Sequence, residues 1–327
     1  MFLQIHRGFT TSVWFVKGLR EYTRSGFESA ASQFNPGDLD VDVTGQSFLI
    51  TGSNSGIGKR TALEIAKRGG TVHMVCRNLE RAEAARAQII EESKNENVFA
   101  HILDLSKPRD IWDFCADFAK RNDHLDVLVN NAGCMVNQRE VTDDGLEKNF
   151  ATNTLGTYIL TCALLPLLKK ANKPRVVTVS SGGMLVQQLD VKDLQHEHGT
   201  FDGTMVYAQN KRQQVVLTEH WSRLHPGVHF SVLHPGWVDT PAVRVSMPDF
   251  HRRMGQRLRT EAQGADTVVW LALSPVMENQ PSGKFFQDRK VVSTHLPMAW
   301  TQSSLEDENK LMEALEAMAA MFKPETT

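Results

Sequence analysis

Tyr207 and Lys211 stand four positions apart in Tyr207-Ala208-Gln209-Asn210-Lys211, at the start of a run whose pattern predicts a helix. Spacing i, i+4 places a phenol and an ammonium on one helical face, one turn apart. A free phenol titrates near pH ~10, too high for ready proton exchange at neutrality. A neighbouring ammonium stabilises the phenolate and lowers that value, so the pair suits general acid–base work on a hydroxyl or carbonyl. A lone Tyr-x-x-x-Lys is common by chance, and its weight comes from its company.

That company begins with Thr51-Gly52-Ser53-Asn54-Ser55-Gly56-Ile57-Gly58, between a predicted first strand and first helix. Glycines at i, i+4 and i+6 let the backbone turn tightly and approach a pyrophosphate, which a helix N-terminus then receives. The alternative is a purely structural glycine turn. The second strand ends at Cys76-Arg77-Asn78, where an NAD enzyme usually carries Asp or Glu for the ribose 2′-OH. Arg77 instead pairs well with a 2′-phosphate, which argues for NADP(H); a solvated loop arginine is the alternative. Asp104-Leu105 after the third strand is placed to bracket the adenine edge, although the dipeptide alone carries no signal. Asn131-Ala132-Gly133 follows the fourth strand, and Ser180-Ser181 the fifth.

The elements that must position these residues alternate. Short apolar runs at 48–50, 72–75, 98–103, 125–129, 176–179 and 228–233 read as strands buried on both faces. Helical stretches at 57–68, 79–93, 110–121, 145–170 and 204–224 lie between them. This order implies a doubly wound parallel α/β sheet. The run 284–287 would close an edge, and Ser303-Ser304-Leu305-Glu306 reads as a capping box before an amphipathic docking helix. The organisation expected is an N-terminal extension (1–40), one Rossmann unit (41–290) with a substrate lid at 240–262, and a C-terminal tail and helix (291–327). In open parallel sheets ligands sit at strand carboxyl ends, and all the singled-out residues lie at such ends or on the following helix.

By joint occurrence and order, these motifs resemble the short-chain dehydrogenase/reductase family over about residues 46–287. The long stretch between Ser181 and Tyr207, and Ser282-Gly283-Lys284-Phe285, resemble its retinol-dehydrogenase-like branch. The resemblance implies that Tyr207 is the general acid/base, assisted by Lys211, which also holds the nicotinamide ribose. It implies that Ser181, rather than Ser180, binds the substrate oxygen. Asn153 matches an asparagine that holds a water linking Lys211 to solvent. Gly52 through Gly58 (Ser53, Asn54, Ser55, Gly56 and Ile57 included), Arg77, Asp104, Leu105, Asn131, Ala132 and Gly133 would hold the adenosine and phosphate side. Pro235, Gly236, Val238 and Thr240 would meet the nicotinamide. Asn210 departs from the usual serine before the lysine. The implied activity is NADP(H)-dependent hydride transfer between nicotinamide and a carbonyl or alcohol. A non-catalytic NADP(H)-binding sensor is the alternative; it has no need of Asn153, Ser181, Tyr207 and Lys211 together.

In the lid, Met247, Phe250, Met254 and Leu258 share a helical face, an adaptable apolar wall suited to a lipophilic substrate. Arg252, Arg253, Arg257 and Arg259 fall mainly elsewhere and read as a solvated face, with an anionic membrane or an acidic substrate tail as the alternative. The N-terminal stretch carries Arg7, Lys17, Arg20 and Arg24 and a loose apolar stripe from Val13 to Phe27. It reads as a helix packed on the body, as a membrane-surface helix, or as a weak transit peptide. Cytoplasmic residence, with peripheral membrane contact, is expected ahead of a mitochondrial one. Family members commonly dimerise.

The formal net charge of −2 gives no long-range pull on nucleic acid, and 41% hydrophobic residues exclude a disordered chain. No run approaches the ~20 apolar residues of a membrane span. Cys76, Cys115, Cys134 and Cys162 are dispersed, which fits idle thiols in a reducing compartment and no metal site.

Overall fold

The computed structural model describes residues 2–297 and 299–325, with side chains from Thr10 onward. Its centre is an eight-stranded sheet. In chain order the strands and their helices are β1 (Ser47–Thr51), α3 (Gly56–Ala66), β2 (Thr71–Cys76), α4 (Leu79–Ser93), β3 (Val98–Ile102), α5 (Pro108–Arg121) and β4 (Val127–Asn130). They continue with α6 (Lys148–Phe150), α7 (Gly156–Leu168), β5 (Arg175–Val179), α8 (Gly203–Leu224), β6 (His229–Leu233), α11 (Glu261–Leu273), β7 (Lys284–Gln287) and β8 (Lys290–Val291). The spatial order is β3-β2-β1-β4-β5-β6-β7-β8. All neighbours are parallel except the β7–β8 pair. The order reverses between β1 and β4, which opens the crevice where ligands of such sheets bind.

Period-two alternation explains the two layers. Leu49, Leu128, Val176 and Phe230 face α5, α7 and α8 in one core cluster. Phe48, Ile50, Val127 and Val177 face α3, α4 and α11 in another. Residues 148–168 are long and apolar enough to cross a membrane by length and composition, beyond what the sequence reading allowed. This segment is core, with 78% of its apolar window buried inside the fold. The predicted continuous helix over 145–170 is interrupted. Glu147, fully buried, caps the start by accepting from the Asn149 and Phe150 amides, and Ala151–Leu155 forms a π-helical turn. Such turns widen a helix locally and are frequent at functional sites.

Three peripheral elements complete the fold. Helix α12 (Leu305–Met321) docks Leu311 and Leu315 into the first cluster as expected. Its cap is Ser304, accepting from Asp307 N, not the Ser303–Glu306 box of the sequence reading. Helix α1 (Phe2–Glu21) and α2 (Arg24–Ala31) form the N-terminal extension. Tyr22 is fully buried between His234 and Trp237, and Gly18 leaves room for the Trp237 ring. The described part of this extension is therefore a helix packed on the body, while Val13, Phe15 and Val16 stay exposed.

The segment expected to be a lid forms two short helices, α9 (Pro241–Ser246) and α10 (Pro248–Met254), separated where Pro248 cannot continue the first. Met254 and Leu258 are buried with Tyr22 and Trp237, and Phe250 packs edge-on against Trp237. Arg252, Arg253 and Arg257 are exposed as expected. Arg259 is not: only 1% of its side chain is accessible, and it pairs bidentately with Asp288 at 2.6 and 2.9 Å. Its remaining donors reach the carbonyls of Glu21, Thr23 and Pro235. A guanidinium enters the interior when a carboxylate and several carbonyls meet it there.

Candidate active site

The glycine turn leads from β1 into α3. Gly52 and Gly56 have φ of +66° and +57°, the left-handed region that glycine adopts freely. Gly58 has a different reason: a Cβ there would lie 2.5 Å from Gly52 O and 2.4 Å from Asn131 Nδ2. Ser55 caps α3 without a side-chain hydrogen bond, so the first amides of the helix remain for a ligand. Thr240 faces this turn, its Cγ2 being 3.4 Å from a Cβ built on Gly56. A side-chain-free cradle with unclaimed amides at a helix start fits a dinucleotide pyrophosphate. Ser53 is turned inward, donating to Ile50 O at 2.9 Å, while Asn54 and Ile57 are half-buried on the turn.

Arg77 is exposed at the end of β2, with no hydrogen bond or ion pair among the described residues. Asp104 closes a local turn by accepting from the Ser106 amide and hydroxyl, and Leu105 is buried in the core. Leu105 O lies 2.3 Å from a Cβ built on Gly156, so glycine there lets α7 approach this loop. Asn131 ties the end of β4 to the glycine turn, donating to Thr51 O and Gly52 O, and the Ala132 amide bonds the Thr51 hydroxyl.

Tyr207 and Lys211 share one face of α8, with Nζ 5.4 Å from the phenol ring centroid. Lys211 is 2% exposed and donates to Val179 O at 2.9 Å and Gln214 Oε1 at 3.0 Å. Asn153 projects from the π-helical turn toward the same point. Its side chain clamps Cys134, accepting from Cys134 N and donating to Cys134 O, both at 2.8 Å, and also donates to Asn210 Oδ1. Gly133 sits against Asn153 and Lys211, where a Cβ would come within 3.3 and 3.4 Å of their polar atoms. Burial pulls Lys211 down to about 7. Burial also pushes Tyr207 up to about 12, the reverse of the lowering expected from spacing alone. The ammonium is turned to Val179 O and Gln214 rather than to the phenol oxygen, so desolvation decides.

Ser180 is buried and donates to Lys211 O, so it anchors α8. Ser181 points the other way and accepts from Gly183 N at 3.3 Å. A Cβ built on Gly183 would lie 3.8 Å from Ser181 Oγ and 3.6 Å from Ala208 Cβ, which puts Ser181 beside the tyrosine helix. Gly182 is held from two sides: its amide donates to His234 Nδ1 and its carbonyl accepts from Trp14 Nε1. Burial drops His234 to about 3, so it is neutral here. Pro235 and Gly236 form the next turn, with Gly236 at φ +84° against the Arg259 guanidinium. Val238 is buried beside Gly264, and Thr240 caps α9 through Val243 N.

The structure thus gathers Asn153, Ser181, Tyr207 and Lys211 at one end of the sheet. Sequence reasoning missed Gln214 and Trp14 and misplaced Arg259. Gln214 and Trp14 sit in helices with no spacing signal of their own.

A short-chain dehydrogenase family model matches residues 46–192. The chain is 65% identical over 315 residues to dehydrogenase/reductase SDR family member 12 of Bos taurus, covering 96% of this chain and 99% of that one. It is 34% identical to human retinol dehydrogenase 13, covering 73% and 71% of the two chains. A solved short-chain dehydrogenase from Escherichia coli CFT073, complexed with NADPH, superposes with a TM-score of 0.63 at 23% identity, covering 78% of this chain and all of that one. On the fold, the motif order and the full-length likeness, the chain belongs to the short-chain dehydrogenase/reductase family.

Proposed function

We propose that this family oxidoreductase is NADP(H)-dependent and transfers a hydride between nicotinamide and the carbonyl or alcohol of a lipophilic substrate, within a catalytic unit spanning 41–290. The observation that carries the proposal is the gathering of Tyr207, buried Lys211 and buried Asn153 at the mouth of the glycine cradle, with Lys211 Nζ 5.4 Å from the phenol ring centroid. When bound, the nicotinamide supplies or accepts the hydride. Ser181 hydrogen-bonds the substrate oxygen. Tyr207 gives that oxygen its phenolic proton in reduction and takes it back in oxidation. Lys211, once charged, favours the phenolate left behind. Asn153 holds the Cys134 backbone, which keeps the wall opposite the tyrosine in place.

Arg77 supports the NADP(H) preference, since an exposed guanidinium without an ion-pair partner is free to take a 2′-phosphate. Relatives named retinol dehydrogenases, and the apolar, half-buried Met247 and Phe250 of the proposed lid, support the lipophilic substrate. The test is a cofactor titration followed by a carbonyl panel. Wild type favours NADPH over NADH, and Arg77→Asp loses at least about tenfold of that preference. Retained preference in Arg77→Asp overturns the cofactor assignment. Turnover confined to small polar sugars overturns the substrate class.

Cytoplasmic residence with peripheral membrane contact belongs to the same proposal. The exposed Val13, Phe15 and Val16 of α1, near exposed Arg20 and Arg24, support it. Val16→Asp is expected to lower co-sedimentation with anionic vesicles, and unchanged sedimentation removes the contact.

A further inference from the structure

The link behind the lysine is built from protein. Lys211 Nζ donates to Gln214 Oε1 at 3.0 Å, and Gln214 Nε2 donates to Asn153 O at 2.7 Å. Gln214 is 1% exposed and Asn153 fully buried. We propose that Gln214 is a positioning residue of the Tyr207–Lys211 pair, its amide bridging the lysine ammonium and the Asn153 main-chain carbonyl. The inference rests on the reading of Tyr207 and Lys211 as the acid–base pair.

Three features carry it. The amide has one orientation that works, with oxygen toward the ammonium and NH2 toward the carbonyl, since reversal would set donor against donor and acceptor against acceptor. An ammonium has three N–H donors. Val179 O and Gln214 Oε1 take two of them, which fixes the direction of the third. The π-helical turn presents Asn153 O to the amide, while the Asn153 side chain is committed to Cys134 and Asn210. The neighbouring Gln213 extends the same buried network, accepting from Thr154 Oγ1 at 2.7 Å and from Asn210 Nδ2. Asn210, the departure from the usual serine, is therefore part of one polar cluster with the glutamines.

The amide stays neutral at every working pH and gives the buried ammonium an acceptor. Removing it disfavours the charged lysine, and replacing it with a carboxylate favours it. The titratable groups facing Nζ are Tyr207 on its own helix and Cys134 from the loop after β4. Both are constant across Gln214 variants.

The test uses the full chain and two readouts, NADPH affinity by cofactor fluorescence and turnover, each followed from about pH 6 to about pH 9. In Gln214→Leu the midpoint of the affinity profile moves acid-ward by about one unit, and neutral-pH turnover falls about tenfold. In the isosteric Gln214→Glu the midpoint moves the opposite way. Opposed shifts support the positioning role; profiles that superpose on wild type, with only thermal stability lowered, overturn it. If leucine does not fold, the direction of the glutamate shift decides alone: alkaline supports, none or acid-ward overturns. Tyr207→Phe separates the two readings. Its retained turnover would remove the acid–base assignment, while the affinity shifts still report Gln214 acting on Lys211.

Discussion

Tyr207→Phe loses turnover by about 10²–10⁴-fold, while NADPH affinity stays within about twofold of wild type. Phenylalanine keeps the ring and removes one oxygen. The ring packs on α8 near Lys211, and no described hydrogen bond that supports the fold comes from the phenol. Stability is therefore spared and the lost atom is the proton carrier. Because burial holds that phenol at about 12, it is protonated below that pH, the state required to give a proton to a carbonyl oxygen. Comparable turnover by the variant, measured as NADPH oxidation with a carbonyl substrate, would falsify the assignment.

Arg259→Met lowers stability by about 3–5 kcal/mol and the melting temperature by roughly 10 °C. The guanidinium and Asp288 are 1% and 8% exposed, so methionine leaves a buried carboxylate without its partner. It also strips donors from the carbonyls of Glu21, Thr23 and Pro235. Arg259→Met with Asp288→Asn recovers part of the loss, because the uncompensated charge is gone. A melting curve for the single variant that overlays wild type would mean the ion pair contributes nothing net. Activity falls with stability here, since the Pro235–Gly236 turn rests on the same side chain.

The sheet was legible because its strands are buried on both faces and separated by helical periods. Leu49 and Ile50 point to opposite layers, yet both are apolar, and that continuity marks a parallel strand. The glycine turn and the Tyr207–Lys211 pair were legible because their chemistry lies in local spacing. The π-helical turn at 151–155 was not, because an i→i+5 register leaves no trace in a 3.6-residue period. Gln214 was silent for a related reason: a glutamine in a helix reads as solvent-facing until Lys211 and Asn153 O are seen beside it. Arg259 was misplaced among three exposed arginines, since its partners lie 24 to 238 positions away in the chain. The break at Pro248 was written in the sequence, and the apolar stripe across it obscured the proline.

Helix α1 reaches Gly182 through Trp14, across 168 positions, and Glu21 O reaches Arg259 across 238. Helix α1 precedes its partners by most of the chain and is thus among the last elements to find its seat. Until residues 234–288 have emerged and β6 and β7 have paired, Tyr22 has neither His234 nor Trp237 to bury against. Long-range contacts of this kind form late because the intervening loop must close first. The turn that carries Ser181 and Gly182 then acquires its outer support at the end of folding. A nascent or truncated chain that has made the whole cofactor crevice still waits on α1 to finish that turn.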